Sequence, residues 1–311
     1  MNEYVARPSR RLVTVALALA CAVLAWSAMS AVAQAKTKPA KTTKVTPSTP
    51  ITAGSGYLAL GDSVPFGYME STVTPVPDYT HAANFVGYPE ILGSELGLKV
   101  ANFACPGETT SSMINESAQS NGCENTVTPG TPAYRSTFPL HHKYTGSQLS
   151  AAVTYLKNHK GVRLVTLMVG ANDLFVCEET TADHCASQTE QLGVLSTIQK
   201  NVHTIVSALR TKAGYNGQLV LVDYYSLDYA NATDNLQSTA GNHVLNLGGH
   251  GFHVRFANGF STFETASAHA GADPCTAGLL TQLSTGGCGI HPTYAGQTLL
   301  ASAVLQKLKL G

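Results

Sequence analysis

Short apolar runs alternate with amphipathic segments along most of the chain, and this alternation constrains the fold more than any other feature of the sequence. Tyr57 to Leu60, Val100 to Ala104 and Leu164 to Val169 read as buried strands, each followed by a polar turn containing glycine. Leu219 to Asp223 reads as a fourth strand and His253 to Ala257, less apolar, as a fifth. Between and after them, Tyr88 to Leu96, Gln148 to Asn158, Glu190 to Lys212 and Tyr294 to Leu308 have helical spacing. In the second of these, Leu149, Ala152, Val153 and Leu156 share one face. Strands that alternate with helices predict a parallel sheet covered on both faces. Such sheets bind their ligands beyond the carboxyl ends of the strands. With 44% hydrophobic residues over 311 positions, one large core is expected rather than two small ones.

The N-terminal segment stands apart. Arg7, Arg10 and Arg11 precede an almost uncharged apolar run from Leu12 to Val32 that closes on small residues at Ala31, Ala33 and Ala35. Residues 1–35 therefore read as a secretory signal peptide, with a retained membrane anchor as the alternative. Residues 36–53, rich in Lys, Thr and Pro, read as a flexible linker, and residues 54–311 as one folded domain. The whole chain carries 19 basic and 19 acidic residues, and removal of the first 35, with three Arg and one Glu, leaves 16 against 18. A chain so balanced lacks the basic face that nucleic acid requires. Its partner is expected to be a neutral or apolar small molecule, with at most transient contact at a lipid interface, and its location secreted or retained at the cell surface.

Cys21 falls in the signal segment, which leaves six cysteines in three sequence-local pairs: Cys105 with Cys123, Cys177 with Cys185 and Cys275 with Cys288. An even number in an exported chain predicts disulfides. No Cys-x-x-Cys spacing suggests zinc, and His243, His250 and His253 have no carboxylate or cysteine at ligand spacing. The chain is read as needing neither metal nor cofactor.

The residues at the predicted strand ends are the informative ones. Gly61-Asp62-Ser63 follows the first strand, Pro106-Gly107-Glu108 the second and Gly170-Ala171-Asn172-Asp173 the third, while His291 is placed at the opening of the last helix. Each group has a role in acyl transfer. A serine hydroxyl attacks a carbonyl only if a base takes its proton, and His291 is the candidate base for Ser63. The oxyanion then needs donors already in place: the backbone N–H groups of Ser63 and Gly107 and the side-chain amide of Asn172. Asp62 and Asp173 read as turn-stabilising. The segment from Ser112 to Gly146 is expected to form one wall of the pocket, with Phe138, Leu140, Phe175, Phe252 and Phe256 as candidate apolar lining.

Read in chain order, "YLALGDSVPFGY", "NFACPGETT", "MVGANDLF" and "GIHPTYAGQ" resemble the four sequence blocks of the SGNH, or GDSL-type, serine hydrolases. The resemblance spans nearly everything from Tyr57 onward. It implies a flavodoxin-like three-layer α/β/α sandwich with a parallel five-stranded sheet. It also implies metal-free esterase or lipase chemistry, with Ser63 as nucleophile, Gly107 and Asn172 in the oxyanion hole and His291 as base. The three sequential cysteine pairs are similar to those of the secreted lipase and esterase branch.

One position departs from the family pattern, which places an aspartate three residues before the histidine, where this chain has Cys288. The main-chain carbonyl of Cys288, with its direction fixed by a disulfide to Cys275, is the expected partner of the histidine. Asp273 is the competitor. The expected substrate is a fatty-acyl or other lipid ester. The alternatives are a carbohydrate acetyl esterase on the same scaffold and a non-catalytic surface binding protein, the last kept open by the missing aspartate.

Overall fold

A computed structural model describes residues 49–311, so the expected signal peptide and most of the expected linker lie outside the described residues. The ordered fold begins before position 54. Ile51 is buried and pairs in parallel with Leu310, and its N–H donates to the Lys309 carbonyl at 3.0 Å. The last residues of the expected linker thus belong to the domain, because Ile51 supplies an apolar side chain to its core.

The central sheet has five strands: β1 (Gly56–Gly61), β2 (Lys99–Asn102), β3 (Val162–Met168), β4 (Gln218–Val222) and β5 (Val254–Ala257). All neighbours are parallel, in the order β2-β1-β3-β4-β5. The chain reverses its direction of winding at β1, whose neighbours are β2 and β3. That edge is where a doubly wound sheet opens a crevice.

Strand alternation sorts the core into two layers. Leu58, Leu60, Val165, Leu167, Leu219 and Leu221 face one side. There they meet α5 (Gln148–Asn158), α7 (Gln188–Thr211) and α8 (Ala232–Gly249). Tyr57, Ala59, Leu164, Val220 and Val222 face the other side, against α2 (Tyr88–Leu96), α9 (Gly259–Ser267) and α10 (Tyr294–Leu305). The polar residue among these, Thr166, is satisfied inside the second layer by the hydroxyls of Tyr57 at 2.9 Å and Tyr88 at 3.3 Å.

Four further helices, α1 (Ser63–Phe66), α3 (Thr110–Ile114), α4 (Tyr134–Thr137) and α6 (Ala171–Thr180), lie at or near the carboxyl end of the sheet. A separate antiparallel pair, β6 (Leu280–Gln282) and β7 (Cys288–Pro292), precedes α10. His291 therefore sits on a strand, and Thr293 rather than the histidine caps the last helix. The three disulfides join Cys105 to Cys123, Cys177 to Cys185 and Cys275 to Cys288. Among the described residues no helix is long and apolar enough to cross a membrane.

Candidate active site

The turn after β1 is built around Asp62. As N-cap of α1 its Oδ1 accepts the Val64 N–H at 3.0 Å, which exposes Ser63 at the first helical position. Its Oδ2 accepts from the Tyr224 hydroxyl and, at 3.4 Å, from Asn172 Nδ2. Burial pushes the Asp62 carboxyl up to about 6, although the hydrogen bonds from Tyr224 and Val64 and the charge of His291 draw it down. Asp62 thus ties three rim segments together as well as capping its own turn. Asp173 plays a similar part, because Thr110 donates to it from its backbone N–H at 2.8 Å and from its hydroxyl at 2.5 Å, which ties α3 to α6.

Gly107 has φ +83, in the region that favours glycine, and a Cβ there would lie 2.4 Å from the Asn121 carbonyl oxygen. Close main-chain packing therefore leaves no room for a side chain at this turn. Asn172 lies in the first turn of α6, and its Oδ1 accepts from Asn121 Nδ2 at 3.1 Å.

Gln148, the first residue of α5, joins the first two turns. It accepts the Gly61 N–H at 2.7 Å and donates to the Gly61 carbonyl at 2.9 Å and to Glu108 Oε2 at 2.8 Å. Glu108 is fully buried, and burial together with the nearby charge of Glu124 pushes its carboxyl well up.

His291 is buried, and its ring packs edge-on against Tyr68 with centroids 5.0 Å apart. Its Nδ1 bonds Glu70 Oε1 at 2.8 Å. The same oxygen accepts the backbone N–H groups of Ile290 at 2.8 Å and His291 at 3.2 Å, and Oε2 accepts the Thr281 hydroxyl at 2.5 Å. Burial acts to raise the Glu70 carboxyl, but the charge and hydrogen bond of His291 and the Thr281 hydroxyl outweigh it and bring it down to about 2. Glu70 is therefore a carboxylate at neutral pH.

This overturns the expected role of the Cys288 carbonyl. Cys288 lies three residues back along an extended strand, where it pairs with Gln282, and three extended residues span about 10 Å. Asp273 is not the partner either, since its carboxylate accepts the Cys275 N–H at 2.8 Å and the Thr276 hydroxyl at 2.7 Å. Glu70 follows Ser63 by seven positions, in a loop with no recognisable motif. The signal available in sequence is slight: it is the single acidic residue between Ser63 and Pro77.

Ser63, Gly107, Asn172, Glu70 and His291 all line one cleft of about 100 Å³. Its outer wall comes from the segment after Ser112, through Asn121, Thr126, Val127, Thr128 and Thr131. A second cleft, of about 170 Å³, shares Ser63, Asn172, Phe175, Ile290 and His291 and runs between α6 and α8, along Leu174, Ile198, Tyr224, Leu227 and Leu245. One branch is thus rich in hydroxyl and amide groups and the other is largely apolar, and they meet at Ser63.

Of the expected apolar lining only Phe175 reaches these clefts. Phe138 and Leu140 join an aromatic cluster with Phe66, Tyr68, Phe85 and Tyr134, while Phe252 and Phe256 pack on the α7–α8 side of the sheet. Cys105, Glu108 and Cys123 approach one another with ligand-type atoms, but the two sulfurs are bonded as a disulfide.

A model of the GDSL-like lipase/acylhydrolase family matches residues 59–299. A search of the curated proteins finds no match. Among solved structures, the chain is similar to phospholipase A1 from Streptomyces albidoflavus NA297, with 18% identity, 82% of this chain and 100% of that chain covered and a TM-score of 0.52. It is also similar to an acetylxylan esterase from Geobacillus stearothermophilus, with 16% identity, 85% and 98% coverage and a TM-score of 0.52. A third is a putative GDSL-like lipase from Parabacteroides merdae ATCC 43184, with 14% identity, 84% and 98% coverage and a TM-score of 0.50. At these identities the likeness is one of fold.

Proposed function

The chain belongs to the GDSL-like lipase/acylhydrolase family and is a carboxylic ester hydrolase, and on that premise we propose that it works through a covalent acyl-enzyme on Ser63. The observation that carries this reading is the 2.8 Å bond from His291 Nδ1 to Glu70, beside a cleft that Ser63, Gly107 and Asn172 share. With Nδ1–H held by Glu70, Nε2 is the basic nitrogen left to serve Ser63. Ser63 Oγ attacks the ester carbonyl as its proton passes to Nε2. The carbonyl oxygen becomes an oxyanion held by the N–H groups of Ser63 and Gly107 and by Asn172 Nδ2. Collapse breaks the bond to the alcohol, which leaves with the proton from the imidazolium. A water then gives a proton to His291 and attacks the acyl carbon, and as the bond to Ser63 Oγ breaks the imidazolium returns that proton to Oγ and the acid is released. Throughout, the Glu70 carboxylate stabilises the imidazolium and so takes the part of the aspartate that is missing at position 288.

The solved relatives of this fold act on different esters by name. One acetylxylan esterase recurs among them, represented by the parent protein and several variants. The hydroxyl- and amide-lined branch suits a polyhydroxylated alcohol. On these two grounds a carbohydrate ester of a short acid is our first reading of the substrate, ahead of the fatty-acyl ester expected from sequence. The second reading has an observation of its own in the apolar branch between α6 and α8. Export, with residues 1–35 as signal peptide, completes the proposal and agrees with three disulfides.

A panel of p-nitrophenyl esters from acetate to palmitate, with Ser63→Ala as control, separates the readings. The first expects kcat/KM to be highest at acetate and release of acetate from acetylated xylooligosaccharides. A maximum at octanoate or beyond would establish the lipid reading instead. The oxyanion assignment has its own check. Asn172→Ala should lower kcat by about 10²- to 10³-fold with little change in KM, since the amide acts on charge that develops in the transition state. An unchanged kcat would remove Asn172 from the hole.

A further inference from the structure

We propose that Asn121 is a positioning residue for the oxyanion hole, setting both Gly107 and Asn172 from the loop closed by the Cys105–Cys123 disulfide. The inference rests on the reading of Gly107 and Asn172 as oxyanion donors. Two contacts carry it. The Asn121 backbone N–H donates to the Gly107 carbonyl at 2.7 Å, which fixes the peptide that follows Gly107 in space. The Asn121 side chain donates from Nδ2 to Asn172 Oδ1 at 3.1 Å.

The second contact decides which end of the Asn172 amide acts. A primary amide is nearly symmetric in shape, and a half-turn exchanges a donor for an acceptor. With its oxygen engaged by Asn121, Asn172 turns Nδ2 toward Asp62 Oδ2, which accepts one of its two hydrogens at 3.4 Å, and the second hydrogen is left to donate to the oxyanion. A flipped amide would present oxygen to a developing oxyanion, which repels where it should stabilise.

Asn121 is itself well anchored. The next residue, Gly122, donates to the Asn125 carbonyl at 2.9 Å and accepts from Tyr134 N–H at 2.7 Å, and the Cys123 carbonyl accepts from Arg135 N–H at 3.2 Å. The disulfide joins this strip to the residue two before Gly107, with Cα atoms 5.7 Å apart. The loop therefore delivers one side chain and one backbone group to the two halves of the hole.

The test uses Asn121→Asp and Asn121→Ala in the full protein, read by ester hydrolysis and by inhibition with an alkylboronic acid that captures the serine as a tetrahedral anion. Aspartate keeps the shape and the backbone bond but offers the Asn172 oxygen an acceptor, so it should turn the amide. Its kcat should fall by about 10²-fold, as if the donor were lost. Alanine merely releases the amide and should cost about 10-fold. In both variants the unfolding midpoint and the KM for p-nitrophenyl acetate, whose alcohol has no hydroxyls for the amide-lined wall, should stay near wild type, and boronate affinity should weaken in step with kcat/KM. In an Asn172→Ala background, Asn121→Ala should change kcat by less than about twofold, because the group it positions is gone.

Asn121→Asp with wild-type kcat would overturn the proposal. So would an Asn121→Ala loss of the same factor with and without the Asn172 amide. If Asn172→Ala alone keeps full kcat, the oxyanion reading itself fails and the proposal falls with it. That result is distinct from an impaired Asn172 variant beside unimpaired Asn121 variants.

Discussion

His291→Ala should lower kcat by about 10⁶-fold, and adding Ser63→Ala should lower it no further. The two side chains act as one unit: without the base the hydroxyl is a weak nucleophile, and without the hydroxyl the base has no proton to move, so either loss removes the covalent route entirely. What remains is hydrolysis by water in a cleft that still binds the ester and holds its oxyanion. Steady-state kinetics of the two single variants and the double variant on p-nitrophenyl acetate check this. Additive losses would mean that the residues work in separate steps, and the acyl-enzyme mechanism would have to be given up.

Glu70 carries the second large effect, and here two substitutions should part company. Glu70→Ala leaves His291 Nδ1 and the N–H groups of Ile290 and His291 without their acceptor, and kcat should fall by about 10⁴-fold, the scale seen when a triad carboxylate is lost. Glu70→Gln should be milder. Two backbone N–H groups converge on Oε1, so the glutamine oxygen is held there, and its NH₂ faces the Thr281 hydroxyl, which is able to accept. The imidazole then keeps its tautomer and loses only the negative charge beside it, which should cost about 10²-fold, the low end of what a general base supplies.

Acid stability should change too. The Glu70 carboxyl is lowered from 4.5 to about 2 in the fold, so its contribution is complete above the ordinary value and is lost as pH falls toward the lowered one. Unfolding midpoints of wild type and Glu70→Gln should therefore converge between about pH 4.5 and 2. Equal kcat for the two Glu70 variants would show that the backbone donors do not fix the amide.

These residues also mark how far the sequence carries. The five strands, the three disulfides, and Ser63, Gly107, Asn172 and His291 at the sheet's carboxyl end were legible because strands announce themselves by apolar runs and the rim by short local blocks. Glu70 was not, because its partner is 221 residues away and the β6–β7 pair that brings His291 over it has no pattern of its own. Gln148 lies 87 residues from Gly61 and read only as the start of an amphipathic helix. Asn121 belongs to a loop whose course is set by its hydrogen bonds and a disulfide. Helix α8 was missed because glycines at 241, 248 and 249 weaken its helical signal. Gly248 is there for packing, since a Cβ would come within 2.7 Å of the Val202 side chain on α7. The aromatic residues assigned to the pocket failed for the opposite reason: ring content says that Phe138 and Phe256 are buried somewhere, and only the tertiary structure says against what.

The central claim is that Ser63 is the nucleophile of an acyl-enzyme, and peptide mapping after treatment with a fluorophosphonate tests it most directly. One adduct per chain is expected, on Ser63, formed in step with loss of esterase activity, absent from Ser63→Ala and strongly slowed in His291→Ala. An adduct on another residue, or full inhibition with Ser63 unmodified, would contradict it.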